Sequence, residues 1–240
     1  MLRETVFEII FIMKTLTLAT YNIRHGAGMD NILNLERQID VISKINPDVI
    51  ALQEVDRFTT RTRKFDEPAI FADGIKSLPN WHFSKSIDFS GGDYGNALLS
   101  KEKPLSTSVV NMPEPNEPRS IAICEFNDFI FCGTHLSLLE EFRFKALEHF
   151  RQITASTNKP VFFAGDWNAY PDSRFIQELK KDFTLLTPLD KPTFHGSNAR
   201  VIDYIAVDSA HAKSVNVISA EVIPDTISSD HKPVVVKIEL

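Results

Sequence analysis

The feature that most constrains the fold is a series of short apolar runs, each bounded by turn-forming residues. Their length and alternation predict eleven β-strands, which we place at 15–22, 48–54, 81–87, 96–100, 104–111, 119–126, 129–136, 160–166, 201–207, 213–223 and 233–239. Apolar residues at three- and four-residue spacing predict far fewer helices, which we place at 31–45, 138–155 and 173–181. This ratio fits two sheets with helices outside better than a barrel in which every strand is followed by a helix. We therefore predict an α/β (α+β) four-layer sandwich, in which two packed mixed β-sheets are flanked by helices.

The length of the chain, 240 residues with 43% hydrophobic residues, is enough for one large core. We find no Gly/Ser tract, repeat or charge block that would link two domains. The Pro-rich segment 111–120 fits better as a surface loop between two strands. We therefore predict a single domain over residues 13–240. Residues 1–12 precede the first core strand, and we expect them to be a poorly ordered N-terminal extension, above all if translation starts at Met13.

Charge and cysteine content narrow the classes of function. The net charge of −6 is not typical of a protein that binds long nucleic acids, although it is compatible with a local basic patch. Cys124 and Cys132 provide neither a disulfide framework nor the spacing of zinc ligands. The apolar run 7–13 is too short to span a membrane, and it lacks a signal-peptide cleavage site. We therefore predict a cytoplasmic protein with no membrane span.

Polar residues stand at the ends of several predicted strands. Four apolar runs end in such residues, namely Asn22, Glu54, His135, and Asp166 with Asn168. Two further runs begin with them, namely at Asp203 and at Asp230 with His231. In a mixed sheet, the ends of some strands lie beside the starts of antiparallel neighbours. We therefore expect all six groups to converge on one rim, where open α/β sheets commonly place their sites.

The two-residue period of a strand predicts how these side chains are oriented. Asp166 and Asn168 are expected to share one face, with Trp167 turned to the other face to pack. Asp230 and His231 are neighbours and are expected to point to opposite sides. Asp230 is therefore poorly placed to orient the imidazole of its neighbour, and Asp203 is the better candidate for that role.

Each of these signals has an ordinary structural explanation when it is taken alone. Asn22 is a common turn former, His135 fits a core histidine, and the SDH tripeptide at 229–231 fits a helix cap or a turn. Glu54 after a buried run and the GDWN segment at 165–168 are harder to explain, because buried polar side chains need partners. Six such groups in one chain favour a common site.

The motifs around these residues resemble those of the endonuclease/exonuclease/phosphatase family of metal-dependent phosphoesterases, which has the deoxyribonuclease-like fold. The matching motifs, in chain order, are TYNIR with Asn22, LQEV with Glu54, YGNALLS with Asn96, THL with His135, GDWN with Asp166 and Asn168, IDYI with Asp203, and SDH with Asp230 and His231. They span residues 20–231, and together they are far more specific than any one alone. Trp167 stands where the family commonly has Phe or Leu, a change that a packed face tolerates.

The resemblance implies a site for Mg²⁺ or Mn²⁺. It implies that Glu54 and Asn22 chiefly hold the ion, with Asp230 nearby. This donor set agrees with the preference of Mg²⁺ for a few hard oxygen ligands, with water and a substrate phosphate oxygen completing the coordination. Such an ion would polarise the phosphoryl group and stabilise the leaving oxygen.

The resemblance also implies catalytic roles for five residues. Asp166 would orient and deprotonate the attacking water, and Asn168 would hold water or phosphate by its amide. His231, oriented by Asp203, would contact the phosphate and transfer a proton. His135 would donate to a non-bridging oxygen as charge develops. Whether Asp166 or the His231–Asp203 pair is the general base stays open at this stage.

Three further residues are predicted to bind substrate: Arg24, Arg61 and Asn96. Arg24 lies two positions after Asn22 and is expected to share its face. Arg61 belongs to a basic segment, residues 57–64, that could steer anions to the rim, although most charged segments only face solvent. Asn96 belongs to one of the matching motifs.

The predicted function is therefore Mg²⁺-dependent hydrolysis of a phosphodiester or phosphomonoester. The acidic charge and the lack of a long insertion favour a small or single-ended substrate. The alternative is an endonuclease or exonuclease that acts on DNA or RNA, including abasic-site repair, and net charge does not favour it. A non-catalytic binding module with the same fold is the third hypothesis, and the intact set of site residues argues against it. The sequence does not identify the substrate or the oligomeric state.

Overall fold

The computed structural model describes residues 14–195 and 199–240 of the chain. These residues form twelve β-strands: β1 (Thr15–Asn22), β2 (Val49–Arg57), β3 (Asn80–Phe89), β4 (Gly92–Ser100), β5 (Ser106–Met112), β6 (Arg119–Glu125), β7 (Ile130–His135), β8 (Val161–Asp166), β9 (Phe183–Leu185), β10 (Asp203–Asp208), β11 (Asn216–Val222) and β12 (Val234–Glu239). They also form four α-helices: α1 (Leu35–Ile45), α2 (Glu67–Gly74), α3 (Glu140–Ala155) and α4 (Arg174–Leu179). Two short 3-10 helices lie at Arg24–Gly26 and Ala212–Ser214.

The strands form two six-stranded sheets with the orders β11-β12-β1-β2-β4-β3 and β5-β6-β7-β8-β10-β9. Each sheet is mixed, because β1 pairs in parallel with β2 and β7 pairs in parallel with β8. The neighbours of each parallel pair are antiparallel, including β12 beside β1 and β10 beside β8. The carboxyl ends of β1 and β2 and the start of β12 therefore lie at one edge of the first sheet. The carboxyl ends of β7 and β8 and the start of β10 lie at one edge of the second sheet. This arrangement is the basis of the rim that carries the site.

The protein has four layers, namely two sheets with helices on the outer face of each, and a hydrophobic cluster fills each of the three spaces between them. The first cluster lies between the two sheets and includes Leu18, Leu98 and Phe162. The second joins α3 and α4 to the outer face of the second sheet, and Leu147 and Phe163 belong to it. The third joins α1 and α2 to the outer face of the first sheet. The predicted four-layer sandwich of two mixed sheets flanked by helices is therefore confirmed.

The first helix shows how local sequence sets the bounds of an element. The side chain of Asn34 accepts a hydrogen bond from the backbone of Glu36 and caps the start of α1. Asn46 adopts a left-handed conformation directly after the helix, and Pro47 follows it. The helix therefore begins four residues later than its apolar pattern alone predicts, because the cap residue and not the first apolar residue starts it.

All eleven predicted strands and all three predicted helices are present, with bounds that differ by a few residues. The sequence pattern missed β9 and α2. β9 has only three residues, Phe183–Leu185, which is too short for an alternation to be recognised. α2 has eight residues, Glu67–Gly74, which is about two turns, and this is too little for a helical period to stand out. The predicted extension at residues 1–12 lies outside the described residues.

The two cysteines lie on adjacent strands but on opposite faces. Cys124 belongs to the cluster between the sheets, whereas Cys132 belongs to the cluster under α3. Both are free and buried. This agrees with the expectation that they form no disulfide framework. No helix in the part of the chain that the structure describes has the length and apolar character needed to cross a membrane.

Candidate active site

The polar residues at the strand ends meet at one rim between the two sheets. His135 at the end of β7 pairs in register with Asp166 at the end of β8, and Asp166 pairs with Asp203 at the start of β10. Asn22, at the end of β1, approaches them from the first sheet. Its side-chain amide donates to Asp166 Oδ2 at 3.1 Å. The rim therefore brings together side chains that are far apart in sequence.

Asn22 is the centre of this cluster. It is fully buried. Besides its bond to Asp166, its Nδ2 donates to Glu54 Oε1 at 3.0 Å and lies 3.5 Å from His231 Nε2. The backbone amide of Arg24 donates to Asn22 Oδ1 at 3.0 Å and orients the group. One nitrogen atom thus contacts two carboxylates and approaches an imidazole, so all of these groups lie close to a single point.

Glu54 reaches the cluster through a β-bulge. The register between β2 and β4 shifts between Leu52 and Val55, so that Gln53 and Glu54 together oppose the single residue Asn96. Glu54 has a φ of 58°, in the left-handed region that non-glycine residues rarely adopt. Leu52 and Val55 both pack in the cluster beneath α1 and α2. The bulge therefore breaks the alternation that would point Glu54 at the helices and aims it at the rim.

His231 is held between two carboxylates. Its Nδ1 lies 2.9 Å from Asp203 Oδ2 and 3.1 Å from Asp203 Oδ1, so the contact expected from sequence is present. Its Nε2 lies 3.6 Å from Asp166 Oδ2. The ring of Phe194 packs edge-on against the imidazole with a centroid distance of 4.9 Å. His231 is thereby fixed in both orientation and charge environment.

Asp166 and His135 are connected through Asn168. The backbone amide of Asn168 donates to Asp166 Oδ1 at 3.0 Å. Its side-chain Nδ2 donates to the carbonyl oxygen of Leu136 and contacts His135 Nε2, both at 3.0 Å. Nε2 of His135 also lies 3.4 Å from Asp166 Oδ2, so this ring nitrogen faces both the amide of Asn168 and the carboxylate of Asp166.

The predicted face shared by Asp166 and Asn168 needs a correction. β8 ends at Asp166, and Asn168 has a φ of 49°, so the strand alternation does not continue to it. Asn168 still points to the site, because the left-handed conformation returns its side chain to the rim. Trp167 is turned away, as expected, and it stacks on Tyr204 with a centroid distance of 4.9 Å.

Burial and neighbouring charges shift the pKa values in the cluster. Burial raises the pKa of Asp166 and of Glu54 above their ordinary values. Burial opposes a charge on His231, but the carboxylates of Asp203 and Asp166 outweigh it and raise the pKa of this imidazole above 6.5. Burial lowers the pKa of His135 well below 6.5, and the positive charges of Arg119 and His231 add to this effect. The cluster therefore contains one imidazole that favours the charged form and one that favours the neutral form.

Asp230 lies at the edge of the cluster, with Arg24 beside it. The carboxylate of Asp230 is 29% exposed, and its Oδ2 lies 3.7 Å from Arg24 Nε. The expectation that Arg24 shares the face of Asn22 is wrong, because β1 ends at Asn22 and Arg24 adopts a φ of 47° in a 3-10 turn. Its guanidinium instead donates to Gly28 O and to Asn31 Oδ1. Arg24 is thus held beside Asp230 by its own loop.

Arg61 lies beside Glu54, but an acid already neutralises the charge of its guanidinium. It forms a two-point ion pair with the buried Asp56 at 2.7 and 2.8 Å. The guanidinium lies over Phe89 with a distance of 4.4 Å to the ring centroid. Arg57, in the same basic segment, is paired with Asp66 at 2.7 Å. Two of the cations in this segment are therefore neutralised by acids, and this weakens the segment as a steering surface.

Asn96 lies opposite the bulge that carries Glu54, and it faces the second sheet. Its Nδ2 donates to the backbone oxygen of Ser120 on β6 at 3.1 Å. Its Oδ1 is buried and has no hydrogen-bond partner among the described residues. Asn96 therefore ties the two sheets together near the rim, and its role in substrate binding stays a prediction.

Three residues near the cluster were not predicted from the sequence. Thr193 donates to Asp203 Oδ2 at 2.6 Å. Ser229 donates to the backbone oxygen of Asn22 at 2.7 Å and accepts from the backbone amide of His231. Arg119 begins β6 and is only 6% exposed. The one signal in the sequence was the arginine at the start of an apolar run, directly after Pro118.

The donor set fits a hard divalent cation. Glu54 and Asp166 supply carboxylate oxygens around the amide of Asn22, Asp230 adds one at the edge of the cluster, and Mg²⁺ and Mn²⁺ prefer such ligands. A second group, Asp166, Asp203 and His231, has donor atoms within 4.8 Å of one another. In that group, however, Asp203 and His231 are bonded to each other. The donors on the Glu54 side are therefore the better candidates for a cation, whereas the Asp203 side is built to orient an imidazole.

Comparison with known proteins is consistent with this geometry. The model of the Endonuclease/Exonuclease/phosphatase family matches residues 19–231, which is most of the chain. No protein with curated annotation matches the chain. The matched region begins three residues before Asn22 and ends at His231, so it contains every residue of the cluster.

Solved structures share the fold. An endonuclease/exonuclease/phosphatase from Beutenbergia cavernae is 22% identical with a TM-score of 0.77, over 94% of this chain and 72% of its own. One from Bacteroides vulgatus is 19% identical with a TM-score of 0.78, over 95% and 99%. A mannosyl-6-phosphatase from Bacteroides thetaiotaomicron is 19% identical with a TM-score of 0.69, over 93% and 99%. At such identities these structures show the fold and not the substrate.

Proposed function

The chain belongs to the endonuclease/exonuclease/phosphatase family of phosphoesterases, and on this premise we propose that it is a metal-dependent hydrolase of a small or single-ended phosphoester. Water attacks phosphorus, the P–O bond to the leaving group breaks, and the leaving oxygen is protonated. The compartment in which it acts stays predicted as the cytoplasm.

One observation carries this proposal. The amide nitrogen of Asn22 contacts the carboxylates of both Glu54 and Asp166, and lies 3.5 Å from the imidazole of His231. Such an assembly of buried carboxylates is costly unless a positive charge or hydrogen bonds compensate it. A divalent cation with a phosphate beside it would supply that compensation during the reaction.

Glu54 and Asn22 are the proposed ligands of Mg²⁺ or Mn²⁺, with Asp230 at the edge of the site. When bound, the ion polarises the phosphoryl group and stabilises the leaving oxygen. Rotation of the Asn22 amide would present Oδ1 in place of Nδ2, since the two ends of an amide have the same shape. Glu54 is preset for its role by the bulge, which holds its carboxylate at the rim before any ligand arrives.

The residues of the second sheet position water and phosphate. Asp166 is the proposed base for the attacking water, because the backbone amide of Asn168 and the side chain of Asn22 hold its carboxylate in one orientation. His231 is oriented by Asp203 and contacts the phosphate with Nε2. Asn168 contacts water or phosphate. His135 supports Asn168 through its Nε2 and, if its ring turns, donates to a non-bridging oxygen.

The size of the substrate is inferred from the net charge and from the basic segment at residues 57–64. The net charge is −6, and two of the four cations of that segment, Arg57 and Arg61, are paired with acids. Both observations disfavour a long nucleic acid, for which affinity derives mostly from contacts to the backbone phosphates. The alternative, a nuclease acting on DNA or RNA, remains the second candidate only because the family includes such enzymes.

A panel of phosphoesters tests the proposal. Nucleic acids, nucleotides, sugar phosphates, inositol phosphates and phospholipid head groups are assayed with Mg²⁺, with Mn²⁺ and with EDTA. We expect hydrolysis of at least one small phosphoester that EDTA abolishes and that Asp166→Asn lowers by at least about 10²-fold. Hydrolysis that EDTA does not affect would contradict the metal dependence, and near-normal turnover by Asp166→Asn would remove Asp166 from its role.

A further inference from the structure

A cavity of about 350 Å³ lies next to the candidate active site, between the start of β6 and the first half of α3. Its apolar wall is formed by Met112, Leu136, Phe142 and Ala146. Polar residues of α3, among them Lys145, also line it. The volume is in the range of pockets that bind small molecules. We call it the β6–α3 cavity.

Two charged residues of this cavity have unused hydrogen-bonding capacity. Arg119 and Glu114 both line it, and each side chain is only 6% exposed. The distance between Arg119 Nε and Glu114 Oε1 is 3.5 Å, and neither Nε of Arg119 nor Oε2 of Glu114 has a hydrogen-bond partner among the described residues. A buried donor and a buried acceptor without partners are costly. The wall therefore offers one N–H and one carboxylate oxygen side by side.

The wall on the side of the active site is held in place before any ligand binds. The guanidinium of Arg143 donates to the backbone oxygens of Ser137 and Leu138 at 2.8 and 2.9 Å. These bonds fix the segment that leads from β7 to α3. The same segment includes Leu136, whose carbonyl oxygen accepts from the side chain of Asn168. The cavity is therefore a preformed feature of the fold.

Arg119 connects the cavity to the catalytic cluster. It lines the cavity, and its positive charge also lowers the pKa of the neighbouring His135. Leu136, in the cavity wall, directly follows His135 in the chain. Leu136 packs in the cluster on the outer face of the second sheet, so a substrate whose phosphoryl group lies at His135 would extend around the carboxyl end of β7 to place its remaining part in this cavity.

We propose that the β6–α3 cavity binds a nucleobase of the substrate, that is, a planar nitrogen heterocycle attached through its sugar to the scissile phosphate. This inference rests on the proposed function for the identity of the phosphate site. The apolar side chains enclose the ring, while Glu114 Oε2 accepts from a ring N–H or an exocyclic amine and Arg119 Nε donates to a ring acceptor. A nucleobase presents such donor and acceptor atoms side by side on its edge.

The lining favours a nucleobase over a bare sugar. A hexose carries several hydroxyl groups, each of which needs a partner when it is buried. Among the described residues that line the cavity, the buried polar atoms without a partner are a single pair, Glu114 Oε2 and Arg119 Nε, beside several apolar side chains. That supply matches the edge of one heterocycle. Sugars are nevertheless a direct competitor in the test, because a structural relative is a mannosyl-6-phosphatase.

The test is calorimetric titration of the whole protein with ligands that lack phosphate. Adenosine, guanosine, cytidine and uridine are compared with ribose and mannose. We expect at least one nucleoside to bind at least about tenfold more tightly than either sugar. Glu114→Gln should weaken that binding by about tenfold, the cost of one charged hydrogen bond, and Ala146→Leu, which fills the cavity, should weaken it at least as much.

Glu117→Gln is the matched control. Glu117 lies in the same loop and also pairs with Arg119, at 2.8 Å, but it does not line the cavity, so nucleoside affinity should stay unchanged. Sugars binding as tightly as the best nucleoside would overturn the inference. So would equal affinities in wild type, Glu114→Gln and Ala146→Leu, or an equal loss in Glu117→Gln. If a nucleoside binds but no phosphoester is hydrolysed in the presence of metal, the proposed function is contradicted and nucleoside binding by the cavity is not.

Discussion

Thr193 and Asp203 are joined by two hydrogen bonds that run in opposite directions. The hydroxyl of Thr193 donates to Asp203 Oδ2 at 2.6 Å, and the backbone amide of Asp203 donates to the same hydroxyl oxygen at 3.1 Å. The carbonyl oxygen of Thr193 also accepts from the backbone amide of Lys232, the residue after His231. Thr193 therefore holds both members of the Asp203–His231 pair in place.

Thr193→Val keeps the shape of this side chain but removes all three hydrogen bonds of its hydroxyl, one to Asp203 Oδ2 and two from the backbone amides of Ile202 and Asp203. We expect kcat/KM to fall by about tenfold to a hundredfold, as when a partner of an active-site ligand is removed, and stability to fall by about 1–3 kcal/mol because buried polar groups lose their partner. Steady-state kinetics and urea unfolding measure the two effects. Thr193→Ser retains the hydroxyl and should recover most of the activity. If Thr193→Ser is as inactive as Thr193→Val, the loss of the hydroxyl is not the cause of the fall in kcat/KM.

Asp203→Asn tests the charge on His231. Asp203 is the main group that raises the pKa of this imidazole in the folded, metal-free protein, so the imidazole of the wild type should stay protonated at neutral pH. In Asp203→Asn its pKa should fall by at least about one unit. Nitrogen chemical shifts of the imidazole, followed by NMR across a pH titration, measure this directly. Identical titration curves in the two proteins would show that the ion pair does not control the charge.

The same shift has a consequence for stability. A pKa that is raised on folding contributes stability that is complete below the unfolded value of about 6.5 and is lost as pH rises through the folded value. The stability difference between wild type and Asp203→Asn should therefore be larger below about pH 6.5 than at alkaline pH and should shrink as the pH rises. Urea unfolding at several pH values measures it, and a difference that grows with pH would have the wrong sign.

Gly165→Ala tests the close approach of β7 and β8. Gly165 has a φ of 153°, and a Cβ at this position would collide with the backbone oxygen of Thr134 on the neighbouring strand. We expect a loss of about 3 kcal/mol, at the upper end of the usual range for one substitution, together with a loss of activity because His135 and Asp166 lie at the ends of these strands. Thermal or urea unfolding gives the first quantity.

Gly91→Ala is the control for this substitution. Gly91 also has a positive φ, 74°, but its added Cβ would meet only the flexible end of Lys64, at 3.1 Å. The cost there is confined to backbone strain of about 1 kcal/mol. Equal losses of stability in Gly165→Ala and Gly91→Ala would show that the close approach of β7 and β8 is not what requires a glycine at position 165.

The fold was predictable because the patterns that specify it are local. Every strand of four or more residues was recognised from an apolar run, and three of the four α-helices from their spacing. The positions of Asp166, Asp203 and His135 at one edge followed from the ends of those runs. β9 and α2 were missed because three residues and two turns of helix are too short to show a period.

The detailed geometry of the site was less predictable, because it depends on interruptions of the regular pattern. Glu54 reaches the rim through a bulge at a positive φ, and Asn168 and Arg24 also adopt left-handed conformations. None of these residues is a glycine, and only Asn168 is of a type that favours the left-handed region, so the sequence carries little signal for these turns. Thr193 and Arg119 were missed for another reason, since their roles exist only once distant segments have met.

We propose that Glu54 and Asn22 hold a divalent cation, with Asp230 at the edge of the site. The most direct measurement is calorimetric titration of the metal-free protein with Mg²⁺ and with Mn²⁺, for wild type, Glu54→Gln and the remote control Glu102→Gln. We predict that wild type and Glu102→Gln bind with the same affinity and that Glu54→Gln binds at least about tenfold more weakly. Equal affinity in all three proteins, or no binding by wild type, would contradict the account.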